Sequence, residues 1–254
     1  MMHTLSSGTD PLPRRRRRLG LAALLALGLV AAACGGGDDG GSTAGNGGSS
    51  NEPVEVPDEV AETIRIGGVY APTVDPLSRI GGSANHAFGD PLIMIRPGED
   101  PQPWLVEEWT EESNTTATFK LREGVLFHDG TELKASDVKF SIDTILARGS
   151  GPASNLAVVD SVEVLSDYEF RVTTKAPDPL LIRRMYLVFP VPEADYDPDT
   201  YARVPVATGP FKVVSNDTTA QLIKAERHED YWNGEVASPK AEFPGFSDPK
   251  ALQS

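Results

Sequence analysis

Cys34 is the only cysteine of the chain, and it divides residues that cannot build a core from residues that can. Before it, Arg14 to Arg18 are consecutive arginines, followed by Leu19 to Ala33, an unbroken run of Leu, Ala, Gly and Val. An apolar stretch of about 15 residues falls short of the roughly 18 needed to cross a bilayer, and behind a basic head it reads as an export signal. After Cys34 comes GGGDDGGSTAGNGGSS, a composition that buries no apolar surface and stays a flexible coil. At about 16 residues this coil has an r.m.s. reach of roughly 20–25 Å. The folding unit is therefore built from about residue 60 onward, with neither a disulfide nor a thiol nucleophile in it.

The approach to the cysteine, VAAAC, resembles the lipobox of bacterial lipoproteins, in which the Cys becomes the lipidated N-terminus. Ala31 stands where that motif usually has Leu. On this reading residues 1–33 are a lipoprotein signal peptide, residues 34–59 are a tether, and Cys34 is the lipidation site that anchors the protein outside the cytoplasm. Arg17-Arg18 before Leu19 is also similar to a twin-arginine signal, so two export routes stay open. The whole chain has a formal charge of −14 and a pI near 4.7. The basic leader makes the remainder more acidic still, and no basic face is left to neutralise phosphates, which excludes nucleic acid as a partner.

From Thr63 the patterning becomes globular. TIRIGGV, TATFKL, SVEVL, YEFRVTT, FKVV and AQLIKAE have the alternation or β-rich composition of strands. Ser166-Asp167 and SNDTT are the expected hairpin turns. One helix is clear: Val138, Ile142, Ile145 and Leu146 recur on one face, Ser136 is the expected cap, and Arg148 to Pro152 end it. The class is α/β in the mixed α+β sense, with more strand than helix.

Candidate chemistry is sparse. His86, His128 and His228 are scattered, without H-x-x-x-H spacing or a cysteine partner, so no metal site is expected. No G-x-S-x-G elbow and no phosphate-cradling glycine loop occurs, and no cofactor is implied. His128-Asp129 precedes Gly130 at a strong turn signal. Adjacent side chains at a strand end point to opposite faces, a poor arrangement for a dyad, although a secreted hydrolase using these two residues stands as the rival reading. Trp104, Trp109 and Trp232 read as core aromatics before they read as ligand-stacking ones.

PWLVEEWT, TFKLREGVLFHDGTELKASDVKFSID, VATGPFKVV and RHEDYWNG occur in that order. Together they resemble the family 5 extracellular solute-binding proteins, the peptide- and nickel-type binding components of ABC importers. The resemblance runs from about Thr63 to Trp232. It implies a periplasmic-binding-protein-like class II architecture, with residues 60–87 and 190–254 in one lobe, an accessory β-rich subdomain at 88–189, and the second lobe largely missing from an incomplete chain. It further implies a membrane ABC permease as partner, a peptide or other small-molecule ligand, a monomeric state and no catalysis. The implied ligand wall is Tyr70, Ala71, Pro72 and Thr73, with Ser154 and Asn155 as a second stretch. Family members usually have Thr where Lys134 stands, which predicts a helix start shifted toward Ser136. A non-transporting surface interaction or sensing module is a further alternative.

Overall fold

A computed structural model describes residues 61–69, 73–78, 83–149 and 151–246, all within one compact unit spanning Glu55–Ser254. Cys34, the signal and the tether lie outside the described residues, as do Tyr70, Ala71 and Pro72.

The first sheet joins two distant parts of the chain. β1 (Thr63–Arg65) and β2 (Gly68–Val69) both run parallel to β11 (Lys240–Phe246). β11 pairs antiparallel with β10 (Leu222–Arg227), and β10 with β9 (Phe211–Asp217), giving the order β1-β11-β10-β9. One face buries Phe211, Val213, Ile223, Ala225, Ala241 and Phe243 against Val74 and against Phe88 of α1 (Ser83–Phe88). Phe88 meets Phe243 edge to face at 4.9 Å. The other face carries Arg65–Glu242 and Lys212–Glu226 ion pairs, which suits a solvated surface. The β9–β10 turn falls at Thr218–Gln221, later than SNDTT suggests, because Asp217 stays in the strand and its Oδ1 accepts the Thr219 and Ala220 N–H groups.

A short ribbon, β3 (Ile93–Met94) with β4 (Gln102–Pro103), leads into the second sheet. That sheet is antiparallel throughout, in the order β5 (Val106–Ser113), β6 (Thr116–Leu121), β8 (Glu169–Thr174), β7 (Val159–Ser166). Phe119 and Phe170 are fully buried and stacked at 5.1 Å across the β6–β8 pair. Each contributes about 2–3 kcal/mol by leaving water. The β7–β8 turn is Asp167-Tyr168, one residue later than expected.

α2 (Ala135–Arg148) covers this sheet with Val138, Ile142 and Ile145 buried. It begins earlier than a Ser136 cap would allow. The N-cap is Lys134, and the Asp137 carboxylate one turn in accepts the Lys134 N–H at 2.8 Å, the half of a capping box that needs no hydroxyl at the cap. Gly149, at φ 64°, closes α2 by donating its N–H to the Ile145 carbonyl. Further short α-helices among the described residues are α3 (Ala153–Leu156), α4 (Leu181–Arg184) and α5 (Pro198–Tyr201).

Each sheet has its own apolar cluster, and the seam between them is polar. Asp90, 3% exposed, accepts the indole N–H groups of Trp104 (2.8 Å) and Trp232 (3.0 Å) and the hydroxyls of Tyr231 (3.1 Å) and Thr208 (3.1 Å). Burial pushes the Asp90 carboxyl up, and these four donors oppose that shift. Beside Thr208, Gly209 crosses so close to Phe88 that an added Cβ would stand 2.4 Å from the Phe88 carbonyl carbon.

A candidate ligand-binding wall

The segment Thr73–Ser78 is pinned by one buried carboxylate. Asp75 closes a turn on itself: its Oδ1 accepts the Leu77 N–H at 3.0 Å, and its N–H reaches Thr73 Oγ1 at 3.3 Å. Asp75 Oδ2 accepts from the Ser78 hydroxyl (2.7 Å), the Tyr196 hydroxyl (2.9 Å) and Arg148 Nη1 (2.9 Å). The Arg148 guanidinium lies over the Tyr196 ring, 5.0 Å from its centroid. Asp75 is 2% exposed, so its charge is tolerable only with these partners. Burial, then the nearby Asp75 charge and hydrogen bond, push the Tyr196 hydroxyl pKa up and keep it a donor.

Arg148 is the last residue of α2, so the same ion pair reaches the turn that leads to α3. There Ser154 is exposed and borders a depression of about 480 Å³ with Leu146, Gly149, Val159 and Lys175. Asn155 is half-buried, and its backbone carbonyl accepts Arg184 Nη1 at 2.6 Å. Arg184 also grips Asp178 at 2.6 Å, holding that carboxyl below the usual range and tying α3 to α4.

Among the sequence-predicted wall residues, Thr73, Ser154 and Asn155 are described. No hydrogen bond among the described residues joins Thr73 to the other two; the connection runs through Asp75, Arg148 and α2. Sequence reasoning missed Asp75, Arg148 and Tyr196. The one available signal was Asp75-Pro76, an Asx-turn pair just after the Pro-rich exit.

His128 and Asp129 are each engaged elsewhere. His128 Nε2 donates to the Gly209 carbonyl at 3.0 Å, whereas Asp129 Oδ1 accepts from Thr131 N (2.9 Å) and Thr131 Oγ1 (2.6 Å). The pair makes a corner and not a dyad. Trp104, Trp109 and Trp232 are partly buried against the larger core. No group of three or more His, Cys, Asp or Glu side chains is placed to hold a metal among the described residues. No helix among them is long and apolar enough to cross a membrane.

Known proteins share this fold. The nickel-binding NikZ of Campylobacter jejuni, solved with Ni(L-His), superposes with a TM-score of 0.68 at 21% identity, over 76% of this chain and 41% of that one. A nickel ABC transporter protein of Bacillus halodurans gives 0.65 at 25% identity, over 76% and 40%. In sequence, the oligopeptide-binding protein AppA of Bacillus subtilis is 34% identical over 127 residues, covering 45% of this chain and 23% of AppA. Heme-binding protein A of Haemophilus influenzae is 30% identical over 173 residues, covering 56% and 31%. The chain thus spans about a quarter to a third of the length of these curated relatives. The fold is the mixed α/β, periplasmic-binding-protein-like one that the ordered motifs imply. Residues 100–253 match the model of the bacterial extracellular solute-binding proteins, family 5, and the chain belongs to that family.

Proposed function

We propose that this chain is the extracytoplasmic solute-binding component of an ABC importer, with short peptides as its ligand class, and that it binds without transforming what it holds. Membership of family 5 is the observation that carries this reading. AppA is an oligopeptide-binding protein by name, which favours peptides, and the nickel-complex and heme relatives supply the competing ligands to be tested. The ligand wall in this reading is Tyr70, Ala71, Pro72 and Thr73 on one side and Ser154 and Asn155 on the other, with backbone groups pairing to ligand amides. Residues 60–87 and 190–254 then serve as one lobe and residues 88–189 as an accessory subdomain. Cys34 carries lipid, the tether holds the monomer beside its permease, and no cofactor is needed.

Isothermal titration of the purified chain against short peptides, nickel–histidine complexes, heme and sugars tests the ligand class. Saturable binding confined to peptides is expected; a flat response to every class would overturn the reading. Metabolic labelling with palmitate tests the anchor. Label and membrane retention lost together in Cys34→Ser are expected, and an unlabelled cytosolic parent would overturn the anchoring.

A further inference from the structure

The seam between the sheets holds two histidines that lie outside the proposed ligand wall. His128 stands at the corner before α2, and His228 directly follows β10. Between them passes the strap Ala207–Pro210. The His128 N–H donates to the Ala207 carbonyl at 2.9 Å, and the His228 N–H to the Pro210 carbonyl at 2.8 Å. The two rings meet edge to face, with centroids 5.1 Å apart. His128 Nε2 donates to the Gly209 carbonyl, so in the neutral ring its Nδ1 carries no proton. Nδ1 of both rings is shut off from solvent and has no hydrogen-bond partner. A second proton on His128 would therefore sit on a buried nitrogen with no hydrogen bond in place, and charge on either ring would lie against the other imidazole with only weakly placed backbone carbonyls to receive it.

The surroundings reinforce this preference. Lys212 on β9 opposes positive charge on both rings, His228 opposes it on His128, and Asp230 is the one nearby carboxylate that favours a charged His228. Backbone carbonyls at Pro205, Thr208 and Gly209 favour protonation more weakly than burial opposes it. The sheets on either side each keep a separate apolar cluster, so parting them does not require melting either one.

We propose that the His128–His228 pair is an acid-sensitive latch between the two sheets: closed while both rings are neutral, and released on protonation so that the strap 207–210 loosens before either core unfolds. Burial pushes His128 down to about 4 and lowers His228 as well. Opened imidazoles bind protons near pH 6.5, so the closed state loses ground as pH falls from about 6.5 toward 4. The latch is independent of which ligand the protein binds.

Hydrogen exchange of the whole chain at pH 7.5, 6 and 5, corrected for intrinsic rates, tests the proposal. Peptides covering 205–212 and 226–232 are expected to lose about tenfold or more in protection at pH 5, while β6 and β8 stay protected. In His128→Gln/His228→Asn this difference between regions should vanish, with His86→Asn as the control for the remaining folded-body histidine. Uniform loss of protection in all strands, or an unchanged pH response in the double variant, would overturn the latch. If the double variant does not fold, NMR titration of the parent imidazoles decides: both rings are expected to titrate below an ordinary imidazole, and either ring titrating at or above the ordinary value would sink the idea.

Discussion

The two sheets solve the same problem by opposite routes. The four-stranded sheet takes all its strands from residues 106–174, in two hairpins joined antiparallel through β6 and β8. The other sheet borrows β1 and β2 from residues 63–69 to flank β11, near residue 240, in parallel. Hairpin pairing needs only a turn and an alternating pattern, whereas parallel pairing needs a long connection and a partner that the local sequence does not announce. The four-stranded sheet is thus a self-sufficient unit, and the sheet of β1, β11, β10 and β9 depends on whatever holds distant segments together. That task falls to the seam of Asp90, Gly209 and the two histidines.

The comparison can be broken most severely at Gly209. Gly209→Ala would drive a Cβ against the Phe88 and Gly89 backbone, which cannot rotate away. A loss of about 3–5 kcal/mol is expected, read as a fall in Tm of about 10 °C or more. A variant melting like the parent would show that the seam yields easily. Asp90→Ala strands two indole N–H groups and two hydroxyls at once, for about 3–4 kcal/mol by chemical denaturation. Phe170→Ala sharpens the contrast from the other side. It should cost about 3 kcal/mol, with exchange protection lost in β5–β8 and kept in β9–β11. Equal loss in both sheets would mean that they are one cooperative body. Tyr196→Phe removes one hydrogen bond to Asp75 and should cost about 1 kcal/mol while sparing the Arg148 stacking. Least affected should be Lys139→Ala, which cuts an exposed i,i+4 pair with Asp143 and stays within about 0.5 kcal/mol.

Legibility in the sequence followed local pattern and not sheet membership, since β1, β9 and β10 were readable in TIRIGGV, FKVV and AQLIKAE. β6, β7, β8 and α2 were readable because alternation and a helical stripe are local signals. β5 was hidden by Glu107, Glu108, Glu111 and Glu112. In the structure Glu107 pairs with Lys120 on β6 and Glu112 with Arg171 on β8, so cross-strand cations compensate what looks too acidic for a strand. β11 was hidden by Pro244 and Gly245, which normally demote a strand. Gly245 nevertheless donates its N–H to the Gln221 carbonyl and carries the pairing past the proline. The contacts that order the candidate wall were only in part open to sequence reading. Thr73, Ser154 and Asn155 could be named, but Asp75 is defined by Arg148 and Tyr196, which lie far along the chain, and Asn155 acts through a main-chain oxygen that no side-chain pattern reveals.

The parallel register of Thr63 with Lys240 also sets an order of events as the polypeptide is made. Joining those strands closes a loop of about 180 residues, an entropic toll of roughly 5 kcal/mol that no intermediate length avoids. A nascent polypeptide can complete the hairpins of residues 106–174 early, but its first strand must wait, unpaired and exposed to chaperones or to neighbouring molecules, until the segment around residue 240 has emerged.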